Sequence, residues 1–200
     1  MRISALKQTS SDIVEITTET GSVFFIRLAF LSEIPPEDIF AGAEFLEEKE
    51  LEILDAGLAF AAECKAEEYL ARCEHCRRGL EKKLLQKGHS RQAVKQALDY
   101  LEDRGLLDDL RFCGVWLRNH VLFKPQGRTR LYKELLSRGI KAADAKSALN
   151  DFFSYNDESL YCRKAYAKAL KTGKTGEKLL KYLLDCGFSY KMIVEVQNED

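Results

Sequence analysis

Three short motifs in this sequence contain residue types that could carry chemistry, and each can be compared with the site that it would have to build. Cys73-Glu-His-Cys76 has the CxxC spacing of a zinc site, yet structural zinc takes four ligands and no second CxxC or HxxxH pair is near in sequence. Asp108 and Asp109 could form an acid/base or metal-binding pair, but adjacent residues at the start of a helix point in different directions. Helix capping is therefore the interpretation that we favour for them.

The third motif, Gly173-Lys-Thr175, is similar to the end of a phosphate-binding loop. Such a loop requires a preceding strand and a glycine five residues before Gly173, whereas this chain has Lys168 there and a helical pattern over residues 161–170. The three histidines form no Ser-His-Asp or Cys-His arrangement, and no glycine-rich dinucleotide motif is present. We therefore predict that the protein is not an enzyme and that it uses no metal and no cofactor.

The net charge of −1 conceals a division between an acidic beginning and a basic remainder. Residues 1–60 contain 4 basic and 12 acidic side chains, a net of −8, whereas residues 61–200 contain 27 basic and 20 acidic side chains, a net of +7. A basic body favours an anionic partner. Ordinary solvated helix surfaces would give the same count, and charge alone does not separate the two interpretations.

The sequence shows no targeting or membrane segment. The first twelve residues lack the apolar core of a signal peptide, and no run of about 18 uncharged apolar residues could form a transmembrane helix. Six cysteines in such a chain are expected to be free thiols rather than disulfides. These features predict a cytoplasmic protein that does not enter a membrane.

A pattern of about twenty residues occurs three times, and the rest of the chain is organised around it. The copies begin at residues 78, 129 and 177, and the offsets of 51 and then 48 residues hold at every matched position. Repetition at a fixed period indicates tandem structural repeats. The six positions in register are Leu80, Leu84, Leu85, Gly88, Val94 and Ala97; Leu131, Leu135, Leu136, Gly139, Ala145 and Ala148; and Leu179, Leu183, Leu184, Gly187, Ile193 and Val196.

The spacing within one copy predicts two helices joined by a glycine turn. Leu80, Leu84 and Leu85 form one apolar stripe on the first helix, and Gly88 lies where a helix ends in a left-handed residue. Ser90 can cap the second helix. A further helix precedes each pair, and units this small must stack to share a core. The buried face of the second helix is predicted to contain Val94, Ala97, Leu98 and Leu101.

The first 30 residues have a different pattern from the rest. Residues 13–18 and 23–28 are rich in β-branched and aromatic side chains, and they flank Glu19-Thr-Gly-Ser22, which predicts a β-hairpin. We expect this small unit to pack on the first repeat or to be loosely attached to it.

A short acidic helix containing Leu46, Leu51 and Leu54 is predicted after the hairpin. Gly57 is expected to separate it from the first repeat helix, residues 58–72, because glycine is unfavourable inside helices. The apolar points of that repeat helix are Leu58, Ala61, Ala62 and Leu70.

The segment that joins the first two copies is predicted to contain a helix and a basic loop. Phe112, Trp116 and Leu117 should form the inward face of the helix, with Trp116 mostly buried between the first and second repeats. Residues 124–130 form the predicted loop, which holds a glycine among three basic residues. Such a loop can close on phosphates or acidic side chains, although turn formation alone also explains its proline and glycine.

Together these patterns predict an all-α fold of tandem three-helix repeats behind a small segment that contains a β-hairpin. The predicted boundaries are 1–57 for the acidic N-terminal segment, 58–107 for the first repeat, 108–156 for the second and 157–200 for the third.

Three segments of the chain, in order, resemble the RecX family of bacterial regulatory proteins, which modulate the RecA recombinase. They are Tyr69–Leu84, Leu106–Phe112 and Gly127–Ile140, and the resemblance covers residues 58–153 closely and the last repeat loosely. It implies a curved array of three-helix repeats, in agreement with the pattern above, and no catalytic activity. The family often has serine at the position of Cys76, so this chain departs from the family at a residue expected to cap a helix.

The resemblance implies that the protein binds along the groove of the RecA–DNA filament and inhibits strand exchange, ATP hydrolysis or filament growth. A monomer is expected, with only weak binding to single- or double-stranded DNA. A stand-alone helical DNA-binding module is the alternative, because stacked helices with basic faces also suit phosphate backbones. The candidate binding residues are Arg72, Arg77, Arg78, Lys82, Arg111, Arg118, Lys124, Arg128, Arg130 and Lys133.

Overall fold

The computed structural model describes residues 1–198, which form three β-strands followed by nine α-helices, so the predicted helical fold with an N-terminal hairpin is confirmed. The chain divides into two compact units. The first comprises Met1–Cys73 and Gly79–Leu107, and the second comprises Glu74–Arg78 and the chain from Asp108 onward. Residues 199 and 200 of the predicted third repeat lie outside the described residues. The elements are β1 (Ile3–Gln8), β2 (Ile13–Thr18), β3 (Val23–Arg27), α1 (Glu47–Leu70), α2 (Arg77–Gln86), α3 (Arg91–Asp103), α4 (Asp109–Phe123), α5 (Arg128–Ser137), α6 (Ala142–Tyr155), α7 (Glu158–Lys171), α8 (Gly176–Asp185) and α9 (Tyr190–Asn198).

The first unit begins with an antiparallel sheet in the order β1-β2-β3. β2 and β3 form the predicted hairpin, in which Ile13 pairs with Arg27 and Thr17 pairs with Val23. β1 is an additional strand that the sequence pattern does not reveal, because Ile3 is its one buried residue and its apolar residues do not alternate regularly.

Helix α1 runs without interruption through Gly57, so the predicted break there is wrong. A Cβ added at Gly57 would lie 2.9 Å from Cδ2 of Phe24 in β3, which means that glycine allows the helix to lie close against the sheet. The buried face of α1 also differs from the prediction, since Leu58 and Ala61 are exposed. The residues that α1 buries are Ile53, Ala56, Ala59, Ala62, Glu63 and Ala66.

A buried ionic cluster fixes the sheet of the first unit to its helices. Arg27 of β3 donates from Nε to Glu63 of α1 at 2.8 Å and from Nη1 to Asp12 at 2.7 Å. Its Cζ also lies 4.5 Å from the ring centroid of Tyr100 in α3. Burial alone would lower the pKa of Arg27, but the hydrogen bonds to Glu63 and Asp12 raise it, so the cation persists. The sheet is therefore packed on α1 and α3 rather than loosely attached.

In each copy of the repeated pattern, the helix before the glycine ends in the predicted glycine turn. Gly88, Gly139 and Gly187 have φ values of 91°, 88° and 92°, in the left-handed region that strains other residues. In each turn the residue after the glycine donates its backbone N–H to the carbonyl of the residue five positions earlier, which is the Schellman pattern of helix termination. These hydrogen bonds join His89 to Leu84, Ile140 to Leu135 and Phe188 to Leu183.

The predicted leucine stripes are buried at two of their three positions. The third leucine lies at the edge of the contact, with Leu136 37% and Leu184 44% exposed. α3 begins as predicted, because the hydroxyl of Ser90 accepts from the N–H of Ala93. The fully or almost fully buried residues of these faces are Leu80, Leu84, Val94, Ala97, Leu98, Leu101, Leu131, Leu135, Leu179 and Leu183.

The inward face of α4 is rotated relative to the prediction, so that Phe112 and Trp116 lie at its edge and are only partly buried. The indole of Trp116 stacks on His120 with the ring centroids 4.3 Å apart, and the guanidinium of Arg138 lies 4.4 Å from the indole centroid. These contacts hold Trp116 within the second repeat rather than between two repeats. The residues that α4 buries are Cys113, Leu117 and Val121.

Asp108 and Asp109 cap two different helices of the second unit. Asp108 caps its own helix, α4, by accepting hydrogen bonds from the backbone of the first turn. Oδ1 of Asp109 instead accepts from the backbone N–H of Arg77 at 2.7 Å, at the first residue of α2. The capping interpretation is confirmed for this pair, and a carboxylate from α4 supplies the cap that Cys76 was expected to lack.

The same arrangement recurs one repeat later. Asp157 caps α7, and the neighbouring Glu158 accepts from the backbone N–H of Arg128, the first residue of α5, at 2.7 Å. The N–H of Gly127 also donates to the carbonyl of Cys186 at 2.9 Å. The first helix of one repeat therefore caps the second helix of the repeat before it.

The glycine turns of the second and third repeats also lie against the start of a helix in the preceding repeat. A Cβ added at Gly139 would lie 2.8 Å from Cβ of Arg78, and one added at Gly187 would lie 2.5 Å from Cβ of Arg130. Both glycines are needed for close approach as well as for their left-handed φ.

Candidate basic interface

The ten basic candidates lie on three helices and in the segments that follow two helices. Arg72 and Lys82 belong to the first unit, and the other eight belong to the second. Their contacts divide them into side chains that are bound within the protein and side chains that are open to solvent. Arg72 follows α1; α2 carries Arg77, Arg78 and Lys82; α4 carries Arg111 and Arg118; Lys124 follows α4; and α5 carries Arg128, Arg130 and Lys133.

Arg128 and Arg130 lie in the first turn of α5, so the prediction that they belong to a loop is wrong. Gly127 is the N-cap of α5, and the loop after α4 contains only residues 124–127. The helix begins here because Glu158, which is distant in sequence, caps it. The local pattern of glycine and proline therefore placed the end of the loop three residues too late.

Both arginines also have partners within the protein. Nη1 of Arg128 donates to Oδ1 of Asn150 at 2.7 Å, and its Cζ lies 4.8 Å from the ring centroid of Phe153. Arg130 forms an ion pair with Glu134 at 2.9 Å. These contacts give the two arginines a structural role at the start of α5.

Arg77, Arg78 and Arg111 surround the capped start of α2. The backbone of Arg77 is held by α4, and the aliphatic part of Arg78 lies against Gly139. Nε of Arg111 donates to Oε1 of Glu74 at 2.7 Å. The side chains of Arg78 and Arg111 therefore also contribute to the local structure, and a substitution there would test packing together with binding.

The remaining five candidates are exposed, and no ion pair involves them in the part of the chain that the structure describes. One of them, Arg118, borders a cleft of about 430 Å³ whose other side includes Asp151 and Phe152. Exposed cations without ion pairs are available to a ligand at a smaller energetic penalty than the paired arginines. They are Arg72, Lys82, Arg118, Lys124 and Lys133.

One lysine recurs at the same place in all three copies of the repeat. Lys82, Lys133 and Lys181 each lie two residues after the first buried leucine of their helix, at the offsets of 51 and 48 that define the repeat. All three are exposed. Lys181 is missing from the sequence-based candidates because these came from the first two repeats, although the repeat register identifies it. We call these three residues the lysine series.

A groove of about 330 Å³ lies beside α5 in the second unit. It combines the ring of Tyr132 and the side chain of Leu149 with the cations of Arg128 and Lys146, so it can accept a flat apolar group that carries negative charge nearby. Lys146 was not among the sequence-based candidates, because only the fold brings α6 beside α5.

The cysteine, aspartate and glycine motifs form no metal-binding cluster in the described residues. No group of three or more His, Cys, Asp or Glu side chains there could hold a metal ion, and the six cysteines are free thiols. Burial raises the pKa of Cys113 to about 12 and that of Cys162 to about 11, which keeps both as unreactive thiols at neutral pH. Within residues 1–198, no helix has the length and apolarity needed to cross a membrane.

Comparison with known proteins gives consistent matches along the chain. Models of the first and second three-helix domains of RecX match residues 65–101 and 108–149. The regulatory protein RecX of Treponema pallidum (strain Nichols) is 35% identical over 134 residues, which cover 67% of this chain and 82% of that protein. The regulatory protein RecX of Prosthecochloris aestuarii is 29% identical over 136 residues, which cover 66% of this chain and 87% of that protein.

Solved structures show that the likeness extends to the fold. The crystal structure of a regulatory protein RecX superposes with a TM-score of 0.75 and 19% identity, covering 98% of both chains. RecX from Lactobacillus salivarius superposes with a TM-score of 0.59 and 21% identity, covering 71% of this chain and 96% of the other. The two matched domains and the relative that is 35% identical show that the chain belongs to the RecX family of regulatory proteins.

Proposed function

We propose that this protein is a non-enzymatic regulator that binds the RecA–DNA filament and inhibits the recombinase during DNA repair and recombination. It acts as a monomer in the cytoplasm, where its partner works. The observation that carries the proposal is the lysine series, Lys82, Lys133 and Lys181, an exposed cation that recurs in every repeat. A filament presents the same surfaces at regular intervals, and a repeated cation suits a repeated anionic partner.

The lysine series is a better candidate for direct binding than the arginines at the helix starts. Arg128 and Arg130 have partners within the second unit, and a ligand would have to compete with them. Lys133 lies on the same helix without an ion pair in the described structure. Arg118, Lys124 and Lys146 extend this set of exposed cations in the second unit.

The charge distribution favours a protein–DNA filament over DNA alone. Binding to bare DNA depends on neutralised phosphates and falls steeply with salt. The body of this protein carries only +7, and the first 60 residues carry −8 and would be repelled by the same polyanion. A filament adds protein surface, on which apolar and hydrogen-bonded contacts can supplement a modest charge.

The test measures ATP hydrolysis by RecA from the same organism on single-stranded DNA, at matched salt, with increasing amounts of this protein. The wild type is expected to lower the rate, and Lys133→Glu with Lys181→Glu is expected to raise the concentration needed for half-inhibition at least tenfold. Lys171→Glu provides the matched control, because Lys171 is an exposed lysine of α7 that lies outside the lysine series and has no ion pair in the described residues. Filament binding should also be much tighter than binding to naked DNA.

Three results would contradict the proposal. An unchanged ATPase rate at saturating protein would argue against regulation of RecA. Equal affinity for naked DNA and for the filament would instead support a stand-alone DNA-binding module. Inhibition by the double variant at wild-type concentrations would show that the binding surface lies elsewhere.

A further inference from the structure

One face of α1 is apolar and exposed over two turns of the helix. Leu51, Leu54 and Leu58 are 62%, 39% and 52% exposed, and the exposed Ala61 continues the same line. Steps of three and four residues place these side chains on a single stripe, which is the spacing by which two helices pair. We call these four residues the α1 seam.

The α1 seam is a second apolar face of α1, which already buries another apolar face in the core of the first unit. Ile53, Ala56 and Ala59 of α1 are completely buried in the core of the first unit, and the α1 seam lies on another side of the same helix. Single exposed leucines are common on protein surfaces, but three in helical register form a continuous patch. A helix with two apolar faces is expected when one face packs inside the protein and the other binds a partner.

The charges around the α1 seam indicate the kind of partner that fits. Glu47 and Glu48 are exposed in the first turn of α1, and Asp55 borders the leucines. Lys65, beyond the other end of the seam, already forms an ion pair with Glu68. A second copy of this chain would bring another region of net −8 against this one, so electrostatic repulsion opposes self-pairing.

We propose that the α1 seam docks a basic amphipathic helix of another protein. The apolar side chains of that helix would pack against Leu51, Leu54 and Leu58, and its lysines or arginines would meet Glu47 and Glu48. The α1 seam lies entirely within the first unit and contains none of the lysine series. The inference therefore stands or falls separately from the regulation of RecA.

The test titrates full-length protein into a fluorescently labelled 21-residue synthetic helix with leucines at heptad positions a and d and lysines at e and g. Its twin with glutamates at e and g measures the contribution of charge. We expect micromolar binding of the basic peptide, at least tenfold weaker binding to Leu54→Gln with Leu58→Gln, and little binding of the acidic twin. Leu122→Gln is the matched control, because Leu122 is a 73% exposed leucine outside the first unit.

A second variant keeps the test decisive if the leucine substitutions impair folding. Glu47→Lys with Glu48→Lys changes only exposed side chains and should also weaken binding of the basic peptide at least tenfold. Unchanged affinity in both seam variants would overturn the proposal. Sedimentation would overturn it too, if the wild type formed a dimer that the leucine variant lost, because a second copy would then occupy the seam.

Discussion

The two units of the protein use the same glycine turn in different surroundings. A Cβ added at Gly88, in the first unit, would meet nothing within 4 Å, whereas one at Gly139 or Gly187, in the second unit, would overlap the preceding repeat. The first unit is instead fixed by the buried pair of Arg27 and Glu63. The comparison shows that the left-handed φ is required in every repeat, while the absence of a side chain matters only where another repeat packs against the turn.

The largest effect is expected when the ionic cluster of the first unit is broken. Glu63→Gln would leave the Arg27 cation buried without its main partner, and loss of one member of such a pair costs about 3–5 kcal/mol. Urea unfolding followed by circular dichroism gives the free energy of unfolding, with Glu81→Gln on exposed α2 as the control. A loss below about 1 kcal/mol would contradict the idea that this cluster fixes the first unit.

The three glycine turns should respond differently to alanine. Gly88→Ala should lower the free energy of unfolding by about 1 kcal/mol, from the left-handed φ alone. Gly139→Ala should cost more, because its Cβ meets the side chain of Arg78, and Gly187→Ala should cost about 3 kcal/mol, because its Cβ meets the backbone of Arg130. Urea unfolding measures these changes. Equal losses of unfolding free energy in all three variants would contradict the idea that the glycine turns of the two units differ in how closely they are packed.

A smaller effect is expected from the cap that α4 provides to α2. Asp109→Ala should lower the free energy of unfolding by about 1 kcal/mol, because the N–H of Arg77 loses its acceptor. Asp109→Asn keeps an acceptor at the same place and should remain close to the wild type. Ser90→Ala in the first unit is the comparison, since Ser90 caps a helix of its own repeat. Destabilisation of Asp109→Asn equal to that of Asp109→Ala would mean that the negative charge, and not the cap, is what matters.

The smallest expected effect is a pH dependence of the difference in stability between the wild type and Asp109→Asn. Burial raises the pKa of Asp109, and nearby Asp144 adds to the effect, although the hydrogen bond from Arg77 opposes it. A carboxyl with a raised native pKa holds its proton more tightly when folded, so it stabilises the protein most at low pH and this stability is lost as pH rises through the native pKa. Relative to Asp109→Asn, the wild type should therefore gain stability when the pH is lowered from 7 to 4. A difference that is independent of pH would contradict the raised pKa.

The sequence predicts those features that depend on neighbouring residues. The turn at Gly139 and the Ser90 cap were both predictable, because a helix end is determined by residues within one or two turns of it. The predicted break at Gly57 is wrong because a local rule treats glycine as a helix breaker. In the fold, β3 lies so close to α1 that a side chain would not fit.

The candidate interface was less predictable, because its contacts join residues that are distant in sequence. Its basic residues were evident from composition, but the sequence does not reveal which cations have partners. Arg128 was assigned to a loop because nothing near it in sequence indicates that Glu158 caps its helix. The repeat register was the better guide, since it alone identifies Lys181 as the equivalent of Lys133.

The caps contributed by the next repeat have a consequence for the order in which the protein forms during synthesis. The start of α2 lacks its cap until Asp109 has left the ribosome, and the start of α5 lacks its cap until Glu158 has done so. Each of the first two repeats is therefore completed by the one made after it. The N-cap residue of α8, Thr175, forms no side-chain cap, so we expect the third repeat to unfold more readily than the two repeats before it.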